Sequence, residues 1–187
     1  MTLSPEELHI RRTKWGPRPP EVTPEPIGEG EESVWDYPRP PTVHKEPREI
    51  RVIYNDVEIA RSSNALKVTE TAGAPVYYLP QEDVQMLHLE PSTQTSTCEW
   101  KGAAQYFDLN VNGKISQNAA FTYPEPLDDL GMAYSQIAGH ISFYLSGVDE
   151  ARIGTERARP QPGGVYSGWL TSWIKGPVKG APGTEHW

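Results

Sequence analysis

The stretch Thr95–Pro124 reads TSTCEWKGAAQYFDLNVNGKISQNAAFTYP and contains the strongest local fold signal in the chain. An alternating segment, Tyr106–Val111, leads into Asn112–Gly113, and a second strand-like run, Lys114–Tyr123, follows. Asn-Gly between two such runs is typical of a two-residue β-hairpin turn, because both central residues of a type I′ turn need positive φ. The stretch therefore predicts a central hairpin, with the sole cysteine, Cys98, just before its first strand.

Segments with strand character lie on both sides of this hairpin. Residues 50–54 and 57–59 alternate on either side of an Asn-Asp turn, which predicts a second hairpin. Further strands are predicted at Ala65–Glu70, Pro75–Leu79, Met86–Glu90 and His140–Leu145. Turn signals that recur roughly every eight to twelve residues are typical of an all-β sandwich or barrel.

One helix is expected among these strands. Residues 127–136 place apolar side chains on one face at helical spacing, with two aspartates near the N-terminal end. Continuation of this helix to Tyr144 is the alternative to a final strand there, and Gly139 argues against it. The predicted fold is mainly β, a small barrel or sandwich of about six to eight short strands with one short helix.

Proline and glycine distinguish the two ends of the chain. Residues 1–47 hold ten of the nineteen prolines, and a backbone so rich in proline favours neither a long helix nor a central strand. Residues 151–187 are rich in glycine, proline and tryptophan and are too apolar for a free tail. We therefore predict an extended, partly disordered Pro-rich arm (1–47), a β core (48–150) and a tail that wraps the core (151–187).

The net charge of −8 is unevenly distributed along the chain. Residues 51–150 carry thirteen acidic and five basic side chains, whereas residues 151–187 carry two acidic and five basic ones. An acidic core argues against nucleic acid as the main partner, because neutralising phosphates requires a basic surface. The basic tail is expected to lie against the acidic core.

Targeting signals and cysteine content bear on location. No apolar run approaches the ~20 residues of a membrane-spanning helix, and the N-terminus lacks the apolar segment of a secretory signal. A single cysteine excludes an internal disulfide, which fits a reducing compartment. We expect a cytoplasmic protein without a membrane partner, and the sequence leaves its oligomeric state open.

Several stretches resemble a known family. They are PVYYLPQEDV (75–84), LEPSTQTSTCEWKGAAQYFDL (89–109), NAAFTYPEP (118–126) and IAGHISFY (137–144). On the basis of these stretches, residues 48 to about 150 resemble domain-of-unknown-function family 427. The flanking segments resemble those of a long form of that family. Phe121 and Trp173 depart from the residues usual there. The resemblance implies a compact, mostly β fold and supplies no mechanism.

The family is sometimes labelled nucleotidyltransferase-like, and the residues argue against that label. Such transferases hold two metal ions with a carboxylate pair, usually Asp-x-Asp after a Gly-Ser turn. Here Asp128 and Asp129 are contiguous, and the chain has no G-x-x-x-x-G-K-[ST] phosphate loop. One cysteine and scattered histidines also form no zinc motif, so we predict no metal site and assign no cofactor.

Cys98 and Lys101 are the candidate catalytic residues. Lys101 follows Cys98 by three positions, and a nearby ammonium favours the thiolate form of a cysteine. A cysteine nucleophile also needs a base, for which His88 and His140 are the candidates in the core. The alternative is that Cys98 is a small buried apolar side chain, as lone cysteines usually are.

A candidate ligand pocket surrounds the same stretch. Alternating aromatic side chains with a few polar groups are typical of a ligand cavity, and equally of one face of a sheet. The candidate ligand-binding residues are Tyr77, Glu90, Tyr106, Asn118 and Tyr123. We hypothesise a small-molecule-binding domain, which would be an enzyme if Cys98 reacts. The alternative is a non-catalytic protein-interaction or scaffold module that uses the aromatic residues at both ends of the chain.

Overall fold

A computed structural model describes residues 3–184 and 187. The predicted arm and tail also include residues 1–2 and 185–186, which lie outside the described residues. The described part is mainly β, as predicted, and contains one α-helix. None of its helices is long and apolar enough to span a membrane.

Fifteen strands and one α-helix follow one another along the described chain. The helix α1 spans Pro5–Thr13, and single 3₁₀ turns occupy Gln81–Asp83, Met86–His88, Tyr134–Ile137 and Leu145–Gly147. The strands are β1 (Glu32–Ser33), β2 (Thr42–Lys45), β3 (Ile50–Tyr54), β4 (Val57–Ser62), β5 (Leu66–Thr69), β6 (Val76–Tyr78), β7 (Leu89–Cys98), β8 (Gly102–Val111), β9 (Lys114–Thr122), β10 (Ser142–Phe143), β11 (Glu150–Ile153), β12 (Glu156–Arg157), β13 (Arg159–Pro160), β14 (Trp169–Leu170) and β15 (Ile174–Lys175).

Three antiparallel sheets form the body of the fold, in the orders β10-β9-β8-β7, β12-β11-β3-β4 and β2-β5-β6. Side chains of the two four-stranded sheets meet in one core cluster, which includes Ile50 and Leu109. A second cluster, which includes Val68 and Phe121, joins the three-stranded sheet to β8 and β9. Of the two predicted architectures, this is the sandwich, because no sheet in the described residues closes into a barrel.

The hairpin β8–β9 takes part in both core clusters. Asn112 and Gly113 form its turn with φ values of 52° and 81°, which confirms the predicted hairpin. A register shift between Phe107 and Leu109 inserts extra residues into β9 and forms a bulge. On β8, Tyr106 packs against the second cluster, whereas Leu109, beyond the shift, lies in the first. One hairpin can therefore line two cores.

The two ends of the chain pair with each other. β1 and β15 form a short parallel ladder, and the Trp35 indole N–H donates to the carbonyl of Pro177 at 2.8 Å. The fully buried Trp169 inserts into the first core cluster and donates to the carbonyl of Phe143 at 3.0 Å. Both ends therefore lie against the body of the fold.

The arm, which was predicted to be extended, contains one short helix, α1. The Ser4 hydroxyl accepts from the N–H of Glu7 at 3.2 Å, and the Glu7 carboxylate accepts from the N–H of Ser4 at 2.8 Å. Pro5 follows at the start of α1, where a backbone N–H would have no partner within the helix, so its absence removes no hydrogen bond. This capping box explains why α1 begins here. None of the α1 side chains is buried.

Three local predictions differ from the structure. The helix predicted at residues 127–136 is wrong, because Gly131 and Ala133 adopt positive φ (63° and 60°) and only a 3₁₀ turn follows. The strand predicted at Met86–Glu90 is also wrong at its start, where a 3₁₀ turn precedes β7. The strand predicted at His140–Leu145 shrinks to β10.

Candidate functional site

The turn between β7 and β8 fixes the positions of Cys98 and Lys101. Gly102 closes this turn with a φ of 89°, and a Cβ there would lie 3.0 Å from Cγ of Leu127. Glycine is therefore needed on both conformational and steric grounds. The N–H of Trp100 donates to the sulfur of Cys98 at 3.4 Å, and the N–H of Leu127 donates to the carbonyl of Lys101 at 3.1 Å. These contacts hold both side chains in place.

The segment that includes the end of α1 supports the same turn from outside. Arg12 donates to the carbonyl of Glu99 at 2.7 Å and forms a two-point ion pair with Asp129. The indole N–H of Trp15 donates to the Glu99 carboxylate at 2.9 Å. Trp15 is thereby held as one wall of the space beside the turn.

A cavity of about 420 Å³ opens beside this turn. The rings of Tyr106, Tyr123 and Tyr144 surround Phe121 with centroids 5.4–6.0 Å from its own, in tilted and edge-on geometries. Such separations are those of attractive aromatic pairs. The aromatic side chains that line the cavity are Trp15, Tyr78, Trp100, Tyr106, Phe121, Tyr123, Tyr144 and Tyr166.

Glu70 is the cavity carboxylate that has cationic partners. Its Oε1 lies 3.4 Å from Nζ of Lys179 and 3.3 Å from Nε of Arg39. Burial by itself would raise the Glu70 pKa, but the charges of Lys179, Lys101 and Arg39 outweigh burial and lower it. Glu70 is therefore ionised at neutral pH.

Lys101 is a buried cation with a different environment. It is only 8% exposed, yet no hydrogen bond or ion pair links its ammonium to the residues that the structure describes. Its Nζ lies 5.7 Å from the ring centroid of Tyr123. Burial would lower the Lys101 pKa, but attraction to Cys98, Tyr78 and Glu70 outweighs it and raises the pKa. Lys101 is therefore an ammonium at neutral pH.

Two buried phenols accompany this ammonium. Burial raises the pKa of Tyr78 and of Tyr123, so both hydroxyls keep their protons at neutral pH. Neither hydroxyl makes a hydrogen bond within the described chain. By contrast, Tyr106 bonds to the hydroxyl of Ser96 at 2.9 Å, and Tyr144 donates to a backbone carbonyl. The cavity thus holds an ammonium and two phenols with free hydrogen-bonding capacity.

Four of the seven candidate site residues line this cavity. Cys98, Lys101, Tyr106 and Tyr123 come together there, and Cys98 is partly exposed rather than sealed in a core. Tyr77 does not line it, although its neighbour Tyr78 does. Successive side chains of a strand point to opposite faces, so only one of the two can face the cavity. The ring of Tyr77 packs in the first core cluster, 5.3 Å from that of Trp169.

Glu90 and Asn118 lie elsewhere on the sheet. Glu90 is at the far end of β7 from Cys98, roughly 26 Å away at about 3.3 Å per residue, and accepts from Asn110 at 2.8 Å. Asn118 occupies the β9 bulge with a φ of 51°. Its backbone N–H donates to the Asp108 carboxylate at 2.7 Å and its side-chain oxygen accepts from the Ser92 hydroxyl at 2.6 Å, so the residue is bound at the bulge and does not line the cavity.

The histidines proposed as bases do not share the cavity with Cys98. A ring nitrogen of His88 lies 3.3 Å from the carbonyl of Asn110, one of His140 lies 3.3 Å from that of Ala138, and neither residue lines the cavity. Among the described residues, no three His, Cys, Asp or Glu side chains are grouped as metal ligands. What the cavity offers chemically is a thiol, several phenols, lysine ammonium groups and two carboxylates.

Sequence reasoning missed Trp15, Glu70 and Lys179. Trp15 and Lys179 come from the two ends of the chain, and Glu70 directly follows β5. Tyr78 was an expected pocket residue together with Tyr77, and alternation along β6 did not decide which of the two faces the cavity.

Comparison with known proteins gives one result for this fold. The search of curated proteins found no match. A family model described as a domain of unknown function, DUF427, matches residues 42–154, which is more than half of the chain. The match runs from β2 to just past β11 and includes the turn that carries Cys98 and Lys101. The chain therefore belongs to the DUF427 family of domains of unknown function.

Proposed function

We propose that this protein binds a small organic molecule in the cavity beside the β7–β8 turn. The observation that carries the proposal is an open aromatic cavity with buried polar groups that lack intramolecular partners within the described chain. Its volume of about 420 Å³ lies within the range of roughly 300–1,000 Å³ typical of small-molecule sites. Mainly apolar walls with a few convergent polar groups are also typical of such sites.

The unpartnered groups argue against an incidental packing gap. A polar group taken out of water without a partner destabilises a fold by about 1–3 kcal/mol. The indole N–H of Trp100, which lines the cavity, belongs to this class. The Lys101 ammonium and the Tyr78 and Tyr123 hydroxyls face the same space and make no hydrogen bond in the described structure. A ligand that accepts hydrogen bonds would give them partners.

Cys98 supports binding more than catalysis. Its sulfur receives the N–H of Trp100, but no histidine among the described residues shares the cavity with it. A cysteine nucleophile that acts by general-base catalysis needs such a base. We therefore assign Cys98 to the cavity wall and make no catalytic step depend on it.

The aromatic residues at the chain ends weigh against the interaction-module alternative. Trp35 donates to Pro177 and its ring meets that of Trp187 at 5.6 Å, while Trp169 is fully buried. Trp173 lies beneath the guanidinium of Arg48 at 4.1 Å. These rings are engaged inside the molecule, which leaves little aromatic surface for a partner protein.

Thermal-shift screening of the purified protein against a metabolite library tests the proposal. A ligand at about 100 times its dissociation constant should stabilise the protein by roughly 2.7 kcal/mol. The same ligand should slow alkylation of Cys98 by iodoacetamide, because the thiol lines the cavity. Two results would contradict the proposal: no stabilising compound, or a native alkylation rate without ligand that is far below the rate in denaturant.

A further inference from the structure

We infer that the cavity recognises a carboxylate joined to a flat aromatic body, with the carboxylate at Lys101, Tyr78 and Tyr123. The inference rests on the proposed function and specifies the chemical class of its ligand. It is supported by three features of the cavity: which of its charges are already paired, which hydrogen-bonding groups are free, and what its walls are made of.

The lining charges leave one buried cation unpaired. The carboxylate of Glu99 accepts the indole N–H of Trp15, and that of Glu70 is shared by Lys179 and Arg39. Lys101 has no such partner among the described residues, although it is more than nine-tenths buried. A protein with a net charge of −8 thus has an ammonium without an ion pair in a cavity with aromatic walls. An anion is the ligand group that would neutralise it.

The free hydrogen-bonding groups are donors. Tyr78 and Tyr123 remain protonated, and the buried indole N–H of Trp100, another lining residue, has no hydrogen-bond partner in the described part of the chain. The carbonyl and amide of Gln161, which also lines the cavity, are both used by the backbone, at Ala74 and Lys179. Unused donors beside an ammonium favour a ligand group that only accepts, as a carboxylate does.

The arrangement favours one negative charge over two. Among the described residues, Lys101 is the one buried cation without an ion pair, and the ionised Glu70 is near enough to raise its pKa. A monoanion beside Lys101 leaves a neutral pair, whereas a dianion leaves one negative charge near Glu70 without a counter-ion. None of the described residues that line the cavity has a guanidinium to bind a phosphate at two points. A monoanionic carboxylate fits this balance better than a phosphate monoester.

The walls favour a flat aromatic body. Tyr106 and Tyr144 stand nearly parallel, with an interplanar angle of 16° and ring centroids 6.3 Å apart. Phe121 meets both rings, and Tyr78 lies edge-on to it at 6.0 Å. A ligand ring placed here would find both faces and edges of aromatic side chains, the two geometries that aromatic pairs prefer.

Calorimetry with matched probes tests the inference on the full-length protein at pH 7. The probes are benzoate, phenylacetate and 3-phenylpropanoate, each paired with its neutral amide, together with phenyl phosphate as a dianion. At least one carboxylate should bind about tenfold or more tightly than its amide, since it gains a charge-assisted contact with Lys101. The same carboxylate should slow alkylation of Cys98, which places it in this cavity.

Three variants separate the contact from general effects on folding. Lys101→Met should remove the preference for carboxylate over amide, whereas Lys101→Arg should retain part of it. Tyr78→Phe should weaken carboxylate binding severalfold. The matched control is Tyr77→Phe, which removes a buried unbonded hydroxyl from the adjacent residue on the other face of β6 and should leave binding unchanged. If Lys101→Met fails to fold, the Tyr78 and Tyr77 pair still decides.

The outcomes distinguish this inference from the proposed function. Amides that bind as tightly as carboxylates, or tighter binding of phenyl phosphate, overturn the carboxylate inference and leave small-molecule binding standing. Equal effects of Tyr78→Phe and Tyr77→Phe also overturn it. If none of the probes binds, the inference falls, and the proposed function falls with it only if the library screen is negative too.

Discussion

Replacing Lys101 with methionine should stabilise the protein, because it removes the ammonium of a buried side chain. Methionine keeps an unbranched apolar side chain in the same space. The lysine is 8% exposed, and its ammonium has no hydrogen bond or ion pair in the described structure. The attractions of Cys98 and Tyr78 that raise the Lys101 pKa act only when the thiol and the phenol are ionised, and the raised pKa of Tyr78 excludes its ionised form at neutral pH. Glu70 remains as an attracting carboxylate, and Lys179 and Arg39 already share it.

The magnitude follows from the balance of burial and attraction. Replacing a buried ionic group with an apolar side chain of similar volume is often neutral or stabilising by about 1–4 kcal/mol. The residual attraction of Glu70 acts against this gain, so we expect about 1–2 kcal/mol. For a chain of this size, that corresponds to a rise in Tm of roughly 2–8 °C.

Lys179→Met is the matched control. Lys179 is 4% exposed, so it is buried to a similar degree, but it lies 3.4 Å from the Glu70 carboxylate. Removing one partner of a buried pair destabilises strongly, and Arg39 leaves Glu70 only partly compensated. Burial outweighs the attraction of Glu70 and lowers the Lys179 pKa, which offsets part of this loss, so we expect a loss of about 1–3 kcal/mol.

Urea unfolding at pH 7, followed by tryptophan fluorescence, measures both variants. If Lys101→Met loses stability to the same extent as Lys179→Met, then the ammonium of Lys101 makes a stabilising contact in the free protein. It would then not be available to a ligand, and the reasoning about the cavity would be refuted.

Three further predictions follow from the fold. Gly113→Ala should lower the free energy of unfolding by about 1–2 kcal/mol because of its φ of 81° alone. Gly102→Ala also brings a Cβ to 3.0 Å from a leucine side chain, so it should lower the free energy of unfolding by about 2–4 kcal/mol, and urea unfolding measures both. Deleting residues 151–187 should lower Tm strongly because it removes a fully buried tryptophan and β15, whereas deleting residues 1–14 should change Tm by only about 2 °C, because α1 buries no side chain. Nearby cations lower the Glu70 pKa although burial opposes the shift. The ionised Glu70 carboxylate therefore stabilises the fold at pH values above its ordinary pKa of 4.5, and this stabilisation is lost as the pH falls through the lower folded-state pKa. Glu70→Gln should therefore flatten the decline of stability in urea titrations below pH 4.5.

The features that the sequence predicted well depend on local signals. Asn112 and Gly113 both need positive φ in a type I′ turn, so two adjacent residues were enough to place the central hairpin. The helix α1 had an equally local signal, Ser4 and Glu7 around Pro5, which proline counting concealed. An explicit search for capping boxes would have found it.

The β9 bulge could not be predicted because it depends on the partner strand. Extra residues opposite Phe107 and Leu109 are identified only when both strands of the pair are seen. That bulge decides where Asn118 points, and its bond to Asp108 is a consequence of the same shift. Alternation alone therefore assigned Asn118 to a cavity that it does not line.

The cavity was predicted only in part, because some of its residues are close in sequence and others meet only through tertiary packing. Cys98, Lys101 and Tyr106 follow one another through a single turn and strand, so their proximity is a property of the local chain. Glu70 and Lys179 are more than a hundred residues apart and meet only through tertiary packing. Glu70 and Lys179 contribute charges to the site, and sequence patterns could not predict that these two residues meet there.

The contrast between two buried lysines connects stability with function. Lys179 and Lys101 both line the cavity, yet of these two lysines only Lys179 forms an ion pair with Glu70. The turn closed by Gly102 places Lys101 where its ammonium has no ion pair in the described structure. The free protein therefore keeps a costly charge that a stability-optimised chain would replace. A ligand carboxylate would complete a second ion pair there, so binding and stability would increase together.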